Sequence, residues 1–155
     1  MPKEWDGDRR VRGLRVRWYL PRKGLRGVVI VDGPEGSGLE AWFGDIPEFP
    51  EAWIAMRDPK ISECMVQDGK KAGWIEYLTV HWKMRGKGLG SLILEVALEQ
   101  LYRLEVDHVW LLVAPISDKW REALYNFYDQ HGFERMEACG GSSDNVMRIR
   151  LDRIE

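Results

Sequence analysis

The chain has 155 residues, a net charge of −2 and an apolar fraction of 45%. This composition excludes an intrinsically disordered chain, and the length fits a single domain spanning 1–155. No apolar run of about 18 residues and no signal-peptide pattern occurs, so we expect a cytoplasmic protein without membrane contact. We expect Cys64 and Cys139 to be thiols, and the three histidines lack the spacing of metal ligands, which predicts no metal site.

Charge is unevenly distributed in the first half of the chain. Residues 1–26 contain nine Lys/Arg and three Asp/Glu, a net charge of +6, whereas residues 31–69 contain nine Asp/Glu and two Lys/Arg, a net charge of −7. We favour a basic strand that faces an acidic lobe of the same domain. The alternative is that the basic residues 9–26 bind nucleic acid, because aromatic side chains lie among them.

The N-terminal half has the pattern of short strands separated by turns. Alternating and β-branched runs predict strands, and glycine and proline clusters predict turns. Apolar spacing after Pro50 predicts one helix with that proline in its first turn. The predicted elements are a half-exposed strand at Val11–Leu20, a turn at Pro21–Gly24, a buried strand at Val28–Val31, a loop at Asp32–Gly38, the helix at Phe49–Met56, a strand at Ile61–Val66 and a hairpin turn at Asp68–Gly69.

One glycine pattern in this half imitates a nucleotide-binding motif. Gly36-x-Gly38-x-x-Ala41 follows a predicted strand, as a dinucleotide-binding fingerprint would. That fingerprint requires a long helix directly after it, and Pro47 and Pro50 interrupt the segment where the helix would lie. We therefore predict a surface turn here.

The stretch Arg85-Gly86-Lys87-Gly88-Leu89-Gly90-Ser91 lies between a predicted strand, Trp74–Val80, and a predicted helix. Apolar residues recur at helical spacing after it, at Leu94, Ala97, Leu98, Leu101 and Leu104. The glycines let the backbone approach a ligand, and the helix N-terminus offers unpaired N–H groups with partial positive charge. The sequence therefore predicts an anion site suited to phosphate.

The loop does not fit the better-known phosphate motifs. A Walker A loop needs Gly, four residues and then Gly-Lys-Ser/Thr, and a dinucleotide fingerprint needs its third glycine one position later than Gly90. The pattern that fits is Arg85-x-x-Gly88-x-Gly90. In its strand–loop–helix context it resembles motif A of the GNAT superfamily, the acyl-CoA-dependent N-acyltransferases, whose loop amides hold the CoA pyrophosphate.

A second stretch downstream supports the same resemblance. Asp118 is a candidate N-cap and Gly132 a candidate C-cap of a helix predicted by apolar residues at helical spacing, which are Trp120, Ala123, Leu124, Phe127 and Tyr128. The run from Phe127 to Phe133 is similar to the "Leu-Tyr-x-x-x-Gly-Phe" signature of the family. The flanking predicted strands are His108–Val113, Glu134–Ala138 and Asn145–Leu151. The resemblance covers residues 72–151.

The resemblance implies an α/β fold of the α+β type. In that fold a central mixed, mostly antiparallel sheet is splayed in the middle and flanked by helices. It also implies that residues 72–151 form an acetyl-CoA-binding half and residues 1–71 an acceptor-side half. The acceptor-side half is remodelled, because only one helix is predicted where the family usually has two.

The resemblance further implies roles for individual residues. The strand backbone at Leu78, Thr79 and Val80 would pair with the pantetheine arm of acetyl-CoA. Tyr128 would protonate the departing thiolate, with Tyr125 one helical turn earlier as the alternative. The residues implied to hold the pyrophosphate are Arg85, Gly86, Lys87, Gly88, Leu89, Gly90 and Ser91.

Transfer of an acyl group to an amine also requires that the amine lose a proton before it attacks. Glu76 lies on the predicted cofactor strand two residues before Leu78, so we expect it to share a sheet face with Leu78 and Val80. Glu76 is therefore the candidate base. The alternative is a solvent-facing strand carboxylate with no catalytic role.

The predicted activity is transfer of an acetyl group from acetyl-CoA to a primary amine by direct attack in a ternary complex. One alternative is a catalytically silent CoA-binding module. Another is an acyltransferase directed at tRNA or a modified base. The sequence does not identify the acceptor amine, and it leaves open whether the protein is a monomer or a homodimer.

Overall fold

The computed structural model describes residues 4–22, 25–32, 38–49, 63, 71–79, 88–113, 118–135 and 146–151. These residues form one sheet, two α-helices and a short 3₁₀ helix at Ile46–Glu48. The strands are β1 (Gly7–Val11), β2 (Leu14–Tyr19), β3 (Gly27–Asp32), β4 (Gly38–Asp45), β5 (Ala72–Thr79), β6 (His108–Leu112), β7 (Glu134–Arg135) and β8 (Val146–Arg150). The helices are α1 (Leu89–Arg103) and α2 (Asp118–Gln130).

The sheet is open and mostly antiparallel, with the strand order β1-β2-β3-β4-β5-β6-β8-β7. Each of the first five strands is antiparallel to the next. The pair β5–β6 is parallel, and α1 provides the crossover connection that a parallel pair needs. The last strands, β7 and β8, return to antiparallel pairing. The predicted fold class is therefore confirmed.

The middle of the sheet diverges at the parallel pair. Pairing runs from Ala72 and His108 to Ile75 and Leu111, while β5 continues to Thr79. On its other side, β5 contains a β-bulge. Glu76 pairs with Trp42 and Thr79 pairs with Glu40, so β5 uses one residue more than β4 between these two pairs. The C-terminal half of β5 thus leaves the regular pleat where it separates from β6.

The two faces of the sheet carry separate apolar clusters. The larger one lies beneath α1 and α2 and includes Val29, Phe43, Ile75, Leu94 and Tyr125. We call this side the helix face. The opposite face carries a smaller cluster of Ile46, Phe49, Trp74, Trp110 and Val146. Burying these apolar side chains contributes roughly 1.5–3 kcal/mol for each large one, which makes the central strands the stable part of the fold.

Both helices end in the same hydrogen-bonded motif. At the end of α2, Gly132 has φ 93°, and the Phe133 N–H donates to the Tyr128 carbonyl at 3.1 Å. At the end of α1, Glu105 has φ 65°, and the Val106 N–H donates to the Leu101 carbonyl at 3.1 Å. These are Schellman caps. The predicted C-cap role of Gly132 is confirmed, and Glu105 occupies the equivalent left-handed position without glycine's freedom.

The structure corrects several predicted elements. Gly7–Val11 and Gly38–Asp45 are strands that the sequence analysis did not predict, and the second replaces the surface turn expected around Gly38. Of the predicted strand Ile61–Val66, the structure describes only Glu63, and its backbone is helical. Residues 50–56 of the predicted helix and the turn at Asp68–Gly69 lie outside the described residues. Neither described helix is long and apolar enough to cross a membrane.

Candidate active site

One edge of the sheet brings together the chain segments that the sequence assigned to the cofactor. Since β1 to β5 alternate in direction, the C-terminal ends of β1, β3 and β5 lie at the same edge. The parallel strand β6 ends there as well. Helix α1 begins after β5, so its N-terminus also faces this edge. We call it the cofactor edge.

The N-terminus of α1 carries partial positive charge that the described residues do not neutralise. Gly88 precedes the helix with φ 74°, a left-handed conformation that suits glycine. The first turn contains no acidic residue, and no side chain caps it. Its unpaired N–H groups and the helix dipole therefore favour an anion. Of the residues assigned to this role, Gly88, Leu89, Gly90 and Ser91 lie here.

The remaining assigned cofactor residues are described only in part or not at all. Arg85, Gly86, Lys87 and Val80 lie outside the described residues. For Thr79 only the backbone at the end of β5 is described, and Leu78 packs against the helix-face cluster. The cofactor roles of all these residues stay predictions.

A contact between the two helices was missed in the sequence analysis. His131 Nε2 lies 2.9 Å from Ser91 Oγ, which joins the last turn of α2 to the first turn of α1. His131 lies inside the signature that runs from Phe127 to Phe133. Its position in that motif could have identified it as a candidate site residue. The contact fixes a hydroxyl and an imidazole at the helix N-terminus where an anion is favoured.

The two tyrosines of α2 have different surroundings. Tyr125 is buried in the helix-face cluster, and the Arg135 guanidinium lies over its ring at 3.9 Å. Tyr128 is half-buried at the margin of that cluster, with its ring centre 5.2 Å from that of Phe127 and 5.7 Å from that of Phe133. Tyr128 is therefore the more accessible of the two rings.

Glu76 does not have the solvent-facing surroundings of the non-catalytic alternative. It is 2% exposed, and its carboxylate accepts a hydrogen bond from Arg26 Nη1 at 2.9 Å. The guanidinium of Arg26 also lies over the rings of Trp42 at 5.2 Å and Phe49 at 5.6 Å. Glu76 is thus not a solvent-facing carboxylate but a buried one that is paired with a partly exposed guanidinium.

The expectation that Glu76 and Leu78 share a face is wrong. Glu76 pairs with Trp42, whose side chain packs against the cluster on the opposite face, whereas Leu78 packs on the helix face. The β-bulge between Glu76 and Thr79 is the cause, because an extra residue reverses the alternation of side chains along a strand.

The basic N-terminal segment is extensively paired within the molecule. Five of its described arginines form ion pairs, which we call the paired arginines: Arg9 with Glu99, Arg15 with Asp8, Arg17 with Asp32, Arg22 with Asp6 and Arg26 with Glu76. The bonded guanidinium of Arg9 lowers the pKa of Glu99, and that of Arg22 lowers the pKa of Asp6. These pairs favour a role within the fold over a nucleic-acid surface, although only Asp32 comes from the acidic segment 31–69.

Comparison with known proteins agrees with this architecture. A family model described as an acetyltransferase (GNAT) domain matches residues 50–135, which is more than half of the chain. The chain belongs to the GNAT acetyltransferase family. Comparison with curated protein sequences gave no match.

Several solved structures share the fold at low sequence identity. PH1933 from Pyrococcus horikoshii OT3 gives a TM-score of 0.54 at 19% identity, over 84% of this chain and 67% of that one. The NatC complex bound to Gag peptide and CoA gives 0.53 at 17% identity, over 81% and 71%. The N-acetyltransferase YhbS from Escherichia coli in complex with CoA gives 0.52 at 18% identity, over 81% and 59%. At these identities the likeness extends to the fold alone.

Proposed function

We propose that this GNAT protein transfers an acetyl group from acetyl-CoA to a primary amine by direct attack in a ternary complex. The observation that carries the proposal is the cofactor edge. There, β5 separates from β6, and α1 begins after a left-handed glycine with no acidic residue in its first turn. Two of the similar GNAT structures were solved with CoA, which supports the same ligand here.

The described residues at this edge fit the phosphates of CoA. The first N–H groups of α1, from Leu89 onward, are the kind of donors that bind a pyrophosphate. Gly88 has no side chain that would stand between the ligand and these donors. We propose that Gly88, Leu89, Gly90 and Ser91 hold the pyrophosphate together with the loop residues Arg85, Gly86 and Lys87. The side of β5 that faces β6 has no β6 partner beyond Ile75, and there the backbone of Leu78 and Thr79 would bind the pantetheine arm together with Val80.

Acetyl-CoA supplies the acyl group as an activated thioester. For Tyr128 we propose the acid role, in which its phenolic hydroxyl donates a proton to the departing thiolate sulfur. Its half-buried ring at the end of α2 supports this choice. Tyr125 is less suitable, because its ring is buried and Arg135 covers one face.

For Glu76 two roles are compatible with its chemistry. As a base, its carboxylate would take a proton from the acceptor ammonium. As a positioning residue, it would fix Arg26, whose side chain is 37% exposed and whose guanidinium lies over the Trp42 ring. Glu76 is buried and its carboxylate already accepts a hydrogen bond from Arg26, so an amine would have to displace the guanidinium to reach it. The ion pair therefore supports the positioning role. The pH dependence of the rate separates the two roles.

The test of the function begins with the cofactor. We expect native mass spectrometry of the purified protein to reveal bound CoA after incubation, and calorimetry to give saturable binding of acetyl-CoA. A panel of polyamines, amino acids, peptide N-termini and lysine peptides is then assayed for release of free thiol. Binding without thiol release from any class of acceptor would favour a silent CoA-binding module, and absence of binding would contradict the proposal.

A further inference from the structure

Arg12 differs from the paired arginines in its surroundings. It has no ion-pair partner among the described residues, and it is exposed at the tip of the β1–β2 hairpin. Its Nη1 atom lies 3.4 Å from the position that a β-carbon on Gly88 would occupy. A residue from the first hairpin thus places its positive charge beside the glycine that opens α1.

The fold holds this hairpin against α1. Arg9 on β1 donates two hydrogen bonds to the Glu99 carboxylate of α1, each 3.1 Å long. Val11 and Leu14, the pair that closes the hairpin, pack against the same cluster that buries Leu89. The packing of the β1–β2 hairpin against α1 therefore positions the guanidinium of Arg12 at the cofactor edge.

The charges at this point favour the binding of an anion. The helix dipole and unpaired N–H groups of α1 are positive, its first turn has no acidic residue, and Arg12 adds a full positive charge. Like charges placed together are unfavourable unless an anion joins them. A phosphate group bound at the start of α1 would lie between the N–H groups of the helix and the guanidinium of Arg12.

We propose that Arg12 is a further cofactor-binding residue, whose guanidinium pairs with a phosphate of acyl-CoA at the N-terminus of α1. This inference rests on the proposed function, because it needs CoA at the cofactor edge. It adds the N-terminal hairpin to the cofactor site, although residues 1–71 were assigned by resemblance to the acceptor side. CoA offers a pyrophosphate and a 3′-phosphate, and both share the chemistry that a guanidinium binds.

The hairpin allows a substitution that separates binding from folding. Arg12 has φ 53° and Gly13 has φ 78°, the left-handed pair of a two-residue hairpin turn. Asn-Gly is the preferred sequence for such a turn, so Arg12→Asn removes the charge without weakening the hairpin. The matched control is Arg10→Gln. Arg10 is also exposed and has no ion pair with a described residue, but it lies on the strand rather than at the turn.

Calorimetric titration with CoA tests the proposal. We expect Arg12→Asn to raise the Kd on the order of tenfold, the range for losing a hydrogen bond to a charged group, with no loss of thermal stability. The difference in Kd between Arg12→Asn and wild type should become smaller at higher salt, because salt screens the attraction between Arg12 and the phosphate. Arg10→Gln should have the wild-type Kd. Titration with 3′-dephospho-CoA identifies which phosphate Arg12 contacts. If Arg12→Asn still raises the Kd for this ligand by the same factor, Arg12 binds the pyrophosphate. If the two proteins then have the same Kd, Arg12 binds the 3′-phosphate.

Two results would overturn the inference, and they are distinguishable. If wild type and Arg12→Asn bind CoA equally while Gly88→Val does not, the cofactor site exists but Arg12 is not part of it. If the wild-type protein itself shows no binding of CoA, both the proposed function and this inference fail.

Discussion

At the scale of single residues, the proposed acid and its rival differ by one helical turn on α2. Tyr128→Phe should lower kcat on the order of 10²-fold or more, because the thiolate would leave without a proton donor. The Kd for CoA should barely change, since one hydroxyl is a small part of that contact. The measurement is steady-state thiol release with the best amine of the acceptor panel.

Tyr125→Phe is the matched control for that substitution. Its ring lies in the core under Arg135, so we expect kcat near the wild-type value. A Tyr128→Phe enzyme with wild-type kcat would refute the acid role of Tyr128, and a slow Tyr125→Phe enzyme would then assign the proton to Tyr125.

Glu76→Gln decides between a base and a positioning residue. A base is needed only while the acceptor is an ammonium ion, so its loss should slow the reaction below the amine's pKa and matter little above it. Loss of a positioning residue should instead raise KM at every pH. The readout is kcat and KM as a function of pH.

Arg26→Lys provides the comparison for Glu76→Gln. It keeps the charge beside Glu76 but loses the planar group that rests on Trp42. If Glu76 acts through Arg26, both variants should show the same pH-independent rise in KM. If Glu76 is the base, Arg26→Lys should retain the wild-type pH profile.

The sequence could identify candidate residues, but it could not give their surroundings. Gly88 and Tyr128 stand in local motifs that need no distant partner to be recognised. Glu76 was placed on the wrong face because a one-residue bulge depends on the pairing of β4 with β5. Its partner Arg26 lies fifty positions away in the sequence, and no local pattern encodes that contact.

At the scale of elements, the start of α1 is the feature on which cofactor binding depends. Gly88→Val should weaken CoA binding by at least about tenfold, because a branched side chain would enter the phosphate path and disfavour the left-handed backbone. The strain also costs about 1–2 kcal/mol of folding stability. Calorimetry gives the affinity, and thermal unfolding shows whether the variant is folded.

Glu105→Val supplies a control with the same kind of strain at the other end of α1. Glu105 has φ 65°, so a branched residue there should also reduce the free energy of unfolding. It lies far along the helix from Gly88, and CoA affinity should be retained. Equal affinity for CoA in Gly88→Val and wild type would contradict the assignment of the α1 N-terminus to the pyrophosphate.

The elements that sequence patterns missed share a physical reason. β1 is largely charged and becomes a strand through its pairing with β2, where Asp8 and Arg15 form an ion pair. At the start of β4 the pattern of Gly36 and Gly38 indicated a turn, yet Ala41 and Phe43 alternate into the core. Strand formation in both cases depends on the neighbouring strand, which local propensity does not contain. Helices α1 and α2, whose apolar spacing is local, were predicted correctly.

At the scale of the whole molecule, the sheet joins the two halves inferred from the sequence. β4 pairs with β5 from Asp45 and Gly73 to Glu40 and Thr79, so no break in the sheet separates residues 1–71 from 72–151. The single domain predicted for residues 1–155 stays a prediction. Residues 1–71 were assigned to the acceptor and residues 72–151 to the cofactor. Arg12 belongs to the first half but lies beside Gly88, so we propose that the first half also contributes to the cofactor site.

The ion pair between Arg9 and Glu99 fastens the first strand to α1 and should make stability depend on pH. Arg9 lowers the pKa of Glu99 below its unfolded value, so the pair stabilises the fold above the usual glutamate pKa. That stabilisation is lost as pH falls through the lowered folded-state pKa. Both side chains are about one-third exposed, with values of 39% and 34%, so solvent screening limits the contribution. We expect roughly 0.2–1 kcal/mol at neutral pH.

Glu99→Gln should therefore unfold at lower denaturant concentration than wild type at pH 7, and the difference should shrink as pH falls below about 4. Glu95→Gln is the control, because Glu95 is exposed on the same helix and has no ion pair with a described residue. Because the pair also holds the hairpin that carries Arg12, Glu99→Gln should weaken CoA binding modestly, while Glu95→Gln should not. Glu99 also pairs with Arg103 at 2.9 Å, so a stability difference that stays constant from pH 7 to pH 3 would show that the charge of Glu99 acts through neither arginine. Unchanged CoA affinity would show that the hairpin holds its position without this pair.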